Sequence, residues 1–335
     1  MKLSIGIVGL PNVGKSTLFK ALTKQQVNIA NYPFATIDPN VGVVSVPDER
    51  LEKLNEMSKS AKKIPAVVEF YDIAGLVKGA NKGEGLGNQF LSHIRDVKAI
   101  VQVVRCFPAG EIIHVEKDVN PLRDIDIVNT ELILKDLETV NKRLSKLEGE
   151  ARTGDKQKIN DFETLKKVKE TLDKGILAFN LGKEVVSGPA VTELNLLTAK
   201  SQIYLLNGSE SDASSELKEK IESLNSDYLI ADLGSEESVE ALIRKAYEVL
   251  NLISFFTTGE DESRAWTIER GTAAPQASGV IHTDFENKFI RLDVVNWQRL
   301  LETGSWVSAK QKGLIRTEGK EYEVQDGDVV IVKHG

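Results

Sequence analysis

The chain has 335 residues, of which 41% are hydrophobic and 28% are charged, a composition typical of a globular protein with room for two or three domains. No apolar run approaches the roughly 20 residues of a membrane span, and the first residues read as a strand and not as a signal peptide, so we expect a cytoplasmic protein with no membrane partner. The single cysteine excludes an intrachain disulfide, and the net charge of -7 argues against a wholly basic nucleic-acid binder, although local basic faces can still contact RNA.

The first motif is a phosphate-binding loop between a strand and a helix. The apolar run Leu3–Val8 predicts a buried strand, residues 9–17 read GLPNVGKST, and a helix begins within Ser16–Thr23. In this pattern the backbone N–H groups wrap phosphate oxygens at the N-terminus of the helix. The predicted nucleotide-binding residues of the loop are Asn12, Val13, Gly14, Lys15, Ser16 and Thr17. Lys15 would stabilise charge on the β- and γ-phosphates during catalysis, and the hydroxyl of Ser16 would bind Mg²⁺.

A loop rich in turn-forming residues follows the first helix. It runs from Asn28 to Asn40 and leads into a strand predicted at Val41–Val46. Nucleotide-dependent switches carry a threonine in such a loop. We therefore expect Thr36 to be a second hydroxyl ligand of Mg²⁺, ordered by the γ-phosphate and released after hydrolysis.

An acidic residue closes the next predicted strand. The run Ala66–Tyr71 leads to a DxxG segment that starts at Asp72 and ends at Gly75, and its position after the two preceding loops makes it informative. Asp72 would orient a water molecule bound to Mg²⁺, and the N–H of Gly75 would contact the γ-phosphate in the catalytic site. Ras-like switches have a water-orienting glutamine at the next position, which here is Leu76, so another group must position the attacking water.

A strand at Lys98–Cys106 and a polar loop with His114 precede a long helical region. Apolar residues recur there at spacings of three and four in two runs, which predicts an antiparallel helical hairpin that projects from the nucleotide-binding domain. The two runs are Ile133, Leu137, Val140, Leu144, Leu147 and Phe162, Leu165, Val168, Leu172. Basic residues on the hairpin form either a solvated face or an RNA contact. They include Lys142, Arg143, Lys146, Lys166, Lys167 and Lys169.

The pattern of strands and helices resumes at Gln202–Leu206 and ends with a helix at Ser238–Leu250. From Ser254 onward the chain is richer in short strands, glycine-containing turns and aromatic residues. The sequence therefore predicts an α/β fold in three parts. They are a P-loop NTPase domain of the G-domain type at 1–128 and 203–251, an inserted helical hairpin at 129–202, and a small α+β domain at 252–335.

The segment that reads the base departs from the G-domain pattern. G-domain NTPases have NKxD at this strand end, whereas this chain has Asn207-Gly208-Ser209-Glu210. The lysine is missing and the acid is one carbon longer, so guanine donors can remain unpaired at a cost on the order of 1–3 kcal/mol. Selectivity for GTP is therefore not expected, and the spacing alone does not establish a preference for adenine.

Together these motifs resemble the YchF family, the Obg-like ATPases of the translation-factor class. The matching segments span nearly the whole chain and include Gly9–Thr17, Asn31–Asn40, Asp72–Asn88, Gln89–Arg95, Asn207–Glu210, Arg264–Thr267 and Ala274–Glu286. The resemblance implies a C-terminal TGS domain of β-grasp type after the G domain with its inserted hairpin. It also implies that the hairpin and the TGS domain dock on ribosomes.

The resemblance further implies site residues and ligands. ATP would bind in preference to GTP, with Asn207 and the backbone at Gly208 beside the base and Glu210 in the same segment. His114 matches the candidate catalytic histidine of the family. Asn12 matches an asparagine that binds K⁺ in related potassium-activated NTPases, so we expect Mg²⁺ and, in addition, K⁺ as cofactors.

The predicted function is that of a Mg²⁺-dependent ATPase with slow intrinsic turnover that acts as a ribosome-associated regulatory switch. Two alternatives stay open. One is a GTPase with degenerate base recognition, and the other is a nucleotide-gated ribosome-binding module with negligible turnover. Leu76 favours the second alternative in part, because a site without the glutamine should hydrolyse slowly. RNA contact through the hairpin and the TGS domain is a further expectation.

Overall fold

The computed structural model describes residues 4–24, 40–72, 95, 97–107, 118–152, 154–233 and 235–335, except for the side chain of Glu236. Four residues that the sequence singles out, Thr36, Gly75, Leu76 and His114, lie outside the described residues.

Strands and helices alternate in the first two thirds of the described chain, as the sequence predicts. The strands are β1 (Ser4–Val8), β2 (Val41–Ser45), β3 (Lys62–Ile64), β4 (Val67–Asp72), β5 (Ala99–Arg105), β6 (Ser201–Asn207), β7 (Asp227–Ala231), β8 (Leu252–Thr258), β9 (Glu262–Glu269), β10 (Phe289–Asn296), β11 (Arg316–Glu318) and β12 (Asp328–His334). The helices are α1 (Lys15–Lys24), α2 (Glu49–Ser58), α3 (Pro121–Ala151), α4 (Lys156–Asp173), α5 (Lys183–Val186), α6 (Pro189–Thr192), α7 (Ser215–Ser223), α8 (Glu236–Val249), α9 (Ala274–Ile281), α10 (Thr283–Asn287), α11 (Trp297–Thr303) and α12 (Trp306–Gln311). Short 3-10 helices lie at Ala178–Leu181, Leu197–Ala199 and Glu210–Asp212.

The first sheet has the strand order β2-β4-β1-β5-β6-β7 among the described strands. Its neighbouring strands run parallel, except that β2 is antiparallel to β4. β1 and β5 are buried along their whole length, which explains why their sequences are nearly continuous apolar runs. Because the carboxyl ends of parallel strands meet at one edge, the residues that follow β1, β4 and β6 lie at the same edge of the sheet.

Helix α3 passes from one hydrophobic core into another. Asn120 caps its first turn by accepting a hydrogen bond from the N–H of Arg123, and Pro121 occupies the first helical position. Val128 and Leu132 pack into the core of the first sheet. From Ile133 onward the buried apolar residues of α3 pack with those of α4 in a separate core. The predicted apolar runs therefore face each other.

The second sheet has the order β11-β10-β12-β8-β9-β3 among the described strands. The last strand, β12, lies between β10, to which it is antiparallel, and β8, to which it is parallel. The edge strand β3 comes from the first part of the chain and pairs in parallel with β9, with Ile64 opposite Arg264. The sequence analysis did not predict β3, because three residues with two exposed lysines carry almost no strand pattern.

The two sheets share one core across α2. Phe256 and Val329 of the second sheet belong to the same buried cluster as Ile5 and Leu51. Arg50 of α2, whose guanidinium lies over the ring of Phe256, donates two hydrogen bonds to the carboxylate of Asp48, at 2.9 and 2.8 Å. Its Nη1 lies 2.9 Å from the carboxylate of Asp326. None of the helices in the described part of the chain combines the length and hydropathy that a membrane span needs.

Candidate nucleotide-binding site

The loop after β1 follows a path that requires glycine at two positions. Gly9 has φ of 147° and Gly14 has φ of 113°. A Cβ atom at Gly9 would lie 2.5 Å from the carbonyl oxygen of Val103, and one at Gly14 would lie 2.5 Å from Nδ2 of Asn207. The left-handed residue between them is Asn12, with φ of 64°, a conformation that asparagine adopts more readily than most residues. The loop is thus packed closely against the ends of β5 and β6.

The side chain of Lys15 lies inside this loop. Its Nζ donates hydrogen bonds to the carbonyl oxygens of Gly9 and Leu10, at 3.0 and 2.7 Å, and the residue is 8% exposed. Burial lowers the pKa of Lys15 to about 8, and the nearby carboxylate of Asp72 opposes this shift. The loop therefore holds a partly desolvated cation whose hydrogen bonds within the described part of the chain go to two neutral carbonyl groups.

Asp72 ends β4 and lies in register with Ile7 of β1, at the edge where the loop begins. Its Oδ1 is buried and has no hydrogen-bond partner among the described residues. Burial raises the pKa of Asp72, while the charge of Lys15 opposes the shift. A buried carboxylate oxygen is costly unless it has a partner, and this one has none among the described residues, so it is a candidate contact for a bound cation or its water.

The donor set at this edge fits Mg²⁺. Ser16 lies exposed in the first turn of α1, and hydroxyl and carboxylate oxygens are the ligands that this hard cation prefers. Among the residues that the structure describes, no group of three or more His, Cys, Asp or Glu side chains could hold a metal ion. In the usual Mg²⁺ site of NTPases, one or two protein groups join phosphates and water.

Asn207 connects the phosphate loop to β6, the strand whose end carries the predicted base-reading segment. It ends β6, it is 8% exposed, and its Nδ2 donates a hydrogen bond of 2.9 Å to the carbonyl oxygen of Val13. The N–H of Gly208 bonds to the carbonyl oxygen of Ala231 at the end of β7. The carboxamide of Asn207 therefore fixes the position of the loop, a contact that the sequence did not predict.

Both acidic residues that follow Gly208 are engaged by nearby residues, Asp212 by Ser209 of the same turn and Glu210 by Lys218 of α7. The carboxylate of Asp212 accepts a hydrogen bond of 2.8 Å from the N–H of Ser209 and a second one from its hydroxyl. The carboxylate of Glu210 forms an ion pair with Lys218, and the Glu210 side chain is 75% exposed. Neither carboxylate has the free and desolvated setting in which a guanine base is read with high selectivity.

The sequence analysis did not single out the end of β5. Arg105 lies opposite Asn207 in the sheet and is fully buried, and its guanidinium lies over the ring of Phe107 at 4.3 Å from the centroid. The sequence signal that could have identified Arg105 is a charged residue at the end of a buried apolar strand. Burial raises the pKa of the intervening Cys106 to about 12, so its thiol stays protonated at neutral pH and is not a nucleophile.

The structure thus brings together the phosphate loop, Lys15, Asp72 and Asn207 at one edge of the first sheet. Val13 is buried, whereas Asn12, Ser16 and Thr17 are exposed at the surface of the loop and the start of α1.

Two family models match the chain. The first, described as a 50S ribosome-binding GTPase, matches residues 4–141. The second, YchF-GTPase_C, is described as a protein of unknown function and matches residues 252–335. The first match includes β1 to β5 with the phosphate loop and Asp72, and the second includes β8 to β12.

Similarity to individual proteins extends over the full length. The chain is 44% identical to the Ribosome-binding ATPase YchF of Bacillus subtilis and 43% identical to the protein of that name from Mycoplasma genitalium. In both cases the alignment covers 98% of this chain and 98% of the relative. The solved structure of the Schizosaccharomyces pombe YchF GTPase matches with a TM-score of 0.84 at 41% identity, covering 99% of this chain and 98% of that chain. With this likeness in both sequence and fold, the chain belongs to the YchF family of P-loop NTPases.

Proposed function

We propose that this chain is a ribosome-binding ATPase that hydrolyses the β–γ bond of ATP with slow intrinsic turnover and acts as a nucleotide-dependent switch in the cytoplasm. The curated relatives carry the name of ribosome-binding ATPase. The observation that carries the proposal is the desolvated Lys15 ammonium inside the glycine loop, near Asp72, whose Oδ1 has no hydrogen-bond partner among the described residues. Both groups gain a partner when a nucleotide with Mg²⁺ binds.

Phosphate binding would exchange one set of contacts for another. The ammonium of Lys15 would leave the carbonyl oxygens of Gly9 and Leu10 and contact the β- and γ-phosphates, while the backbone N–H groups of residues 12–17 stabilise the developing charge. Bound Mg²⁺ neutralises negative charge on the phosphates. Ser16 and Thr36 would hold this ion directly, and Asp72 would hold it through a water molecule.

The remaining roles fall on residues outside the described part of the chain or on exposed ones. We assign contact with the γ-phosphate to the N–H of Gly75 and orientation of the attacking water to His114, because Leu76 cannot form the hydrogen bond that a glutamine provides. Asn12 is exposed on the loop and is our candidate ligand for K⁺.

ATP is favoured over GTP by the state of the acidic groups near Gly208. A guanine base would have to displace Lys218 from Glu210, or the amide and hydroxyl of Ser209 from Asp212, to obtain an acceptor for its N–H donors. Adenine makes no such demand. The competing proposal, a GTPase with degenerate base recognition, predicts the opposite order of affinities.

The parts of the chain outside the first sheet would bind the ribosome. We assign 1–128 and 203–251 to the G domain and 129–202 to an inserted helical hairpin. The change of core between Leu132 and Ile133, and again between Leu196 and Leu197, supports this division. Residues 252–335 would form a TGS domain of β-grasp type. The hairpin of β8 and β9, the helix α9, and a last strand parallel to β8 in the middle of the sheet support that assignment.

Lys15→Ala tests the nucleotide site. We expect it to abolish binding of a fluorescent ATP analogue in the presence of Mg²⁺, because the loop would lose its only buried cation among the described residues. Lys20→Ala removes an exposed lysine from the same helix and is the matched control, with ATP affinity unchanged. Unchanged ATP affinity of the Lys15 variant would contradict the proposal.

A further inference from the structure

The far end of the helical pair α3–α4 carries a local excess of positive charge. We call residues 142–158 the basic tip. It contains six basic and three acidic residues, whereas the whole chain has a net charge of -7. The end of α3 at Ala151 lies about 28 Å along the helix from Leu132, the last residue of α3 that packs into the core of the first sheet. The tip is therefore well separated from the point where α3 packs on the first sheet.

Each acidic residue of the basic tip already has a partner within the molecule. Glu148 pairs with Arg152 at 2.7 Å, and Glu150 pairs with both Arg143 and Lys158 at 3.4 Å. Asp155 caps the start of α4, where its carboxylate accepts hydrogen bonds from the N–H groups of Gln157 and Lys158. These contacts use all three negative charges of the tip.

Three lysines of the basic tip are left over. Lys142, Lys146 and Lys156 are exposed, and none has a carboxylate partner among the described residues. Lys142 and Lys146 follow each other by one helical turn on the side of α3 opposite the buried Val140 and Leu147. Gly149 lies on the same face and carries no side chain, and apart from its own helix backbone no described atom lies within 4 Å of the position of its Cβ. A partner can approach the helix backbone closely beside the two lysines.

We infer that the basic tip binds the phosphate backbone of ribosomal RNA through Lys142, Lys146 and Lys156. The inference rests on the proposed ribosome binding and names the chemistry of the partner. Protein partners are usually held by aromatic or large apolar anchors at the centre of an interface, and the basic tip contains no aromatic residue. Lysine has a long, flexible side chain that carries a point charge. Such side chains suit the phosphate groups of RNA, because a phosphate contact requires positive charge but no fixed geometry.

The sequence analysis offered six basic residues of the hairpin as an RNA contact, and the structure pairs two of them with carboxylates. Arg143 and Lys169 are engaged with carboxylates, Arg143 with Glu150 and Glu193 and Lys169 with Asp173. These pairs would have to break before either residue contacts RNA.

The test is co-sedimentation of the full chain with ribosomes over a range of salt concentrations, in the presence of a non-hydrolysable ATP analogue. The triple variant Lys142→Gln, Lys146→Gln, Lys156→Gln should bind more weakly. The slope of log affinity against log salt should fall by about 2 to 3, since each phosphate contact contributes about 0.7 to 0.9. Its circular dichroism and ATP affinity should stay those of the wild type, because the three side chains make no contact that the fold needs.

The matched control changes the same charge elsewhere. Lys20→Gln, Lys24→Gln, Lys98→Gln removes three exposed lysines from the part of the chain that forms the first sheet, which is not assigned to ribosome binding, and should leave the slope unchanged. An equal loss in this control, or an unchanged slope in the tip variant, would overturn the inference. A second arm measures binding to protein-free ribosomal RNA. A tip variant that loses ribosomes but keeps this RNA would indicate a ribosomal protein as the partner and refute the assignment. If the wild-type chain does not sediment with ribosomes at all, the proposed ribosome binding itself fails.

Discussion

The helical pair α3–α4 and the second sheet are both joined to the first sheet, but their cores differ. The second sheet contributes Phe256, Val295 and Val329 to the same buried cluster that contains β1 and β4 residues. The helical pair has a core of its own, in which Val140, Leu165 and Leu172 are almost completely buried. The two sheets should therefore form one cooperative unit, whereas the helical pair should unfold and move as a separate arm.

Polar contacts also differ between the second sheet and the helical pair. The second sheet is held by the strand β3, by the N–H of Ala61, which bonds to the carbonyl oxygen of Glu260, and by the Arg50 ion pair with Asp326. The helical pair is joined to the segment that leads into β6 near its base, where Asp136 accepts hydrogen bonds from the N–H groups of Leu197 and Thr198. A nucleotide-driven change in the first sheet would be transmitted to the second sheet as a rigid displacement.

Two natural probes report on the sheets. All three tryptophans, Trp266, Trp297 and Trp306, lie in the last part of the chain, and the single thiol, Cys106, is buried at the end of β5. The helical pair contains neither residue type. Tryptophan fluorescence and thiol labelling should therefore show coincident urea transitions in the wild type, because they follow the same cooperative unit.

Phe256→Ala should have the largest effect on this unit. The ring is fully buried in the shared core beneath Arg50, so its loss should cost about 3–5 kcal/mol of the free energy of unfolding. Both the fluorescence and the thiol-labelling midpoints should move to lower urea together. Phe285→Ala, which removes a half-buried ring that stacks on His334, is the control and should move them little. A shift of the fluorescence midpoint alone would contradict the shared core.

Leu165→Ala should act on the arm and leave the sheets unchanged. The side chain is fully buried between α3 and α4, and its loss should cost that unit about 2–5 kcal/mol. The midpoint of helical circular dichroism should fall, while the tryptophan and thiol midpoints stay in place. The control is Ile159→Ala on the same helix, where the side chain is 42% exposed. If Leu165→Ala shifted the thiol midpoint as strongly as the dichroism, the arm would not be separate.

Gly149→Ala should have the smallest effect and the opposite sign. Gly149 is helical and an added Cβ atom meets nothing within 4 Å, so alanine should stabilise the arm by about 0.5–1 kcal/mol. Gly154 lies in the connection to α4 with φ of 84°, and alanine there should destabilise the arm. Dichroism midpoints measured in urea distinguish the two variants. Equal shifts in both would show that the connection, and not the helix, limits the stability of the arm.

The features that the sequence can predict are those with a local signal. The loop between β1 and α1 combines a buried strand, two glycines and a Lys-Ser pair within a few residues, and the apolar spacing in α3 and α4 extends over several turns. The strand β3 and the bond between Asn207 and Val13 depend on residues about 200 positions apart. No local periodicity encodes such contacts. Which lysines of the basic tip are paired with carboxylates also required the structure, because the pairing depends on which carboxylates the fold brings within reach.

The central claim is that the edge of the first sheet binds ATP in preference to GTP. It is tested most directly by competing a bound fluorescent nucleotide with unlabelled ATP or GTP in the presence of Mg²⁺. We predict that ATP displaces the probe at lower concentration than GTP does, because Glu210 and Asp212 are engaged with Lys218 and Ser209 and offer guanine no free acceptor. A clear preference for GTP would contradict the account, leave the fold intact, and make the chain a GTPase with degenerate base recognition.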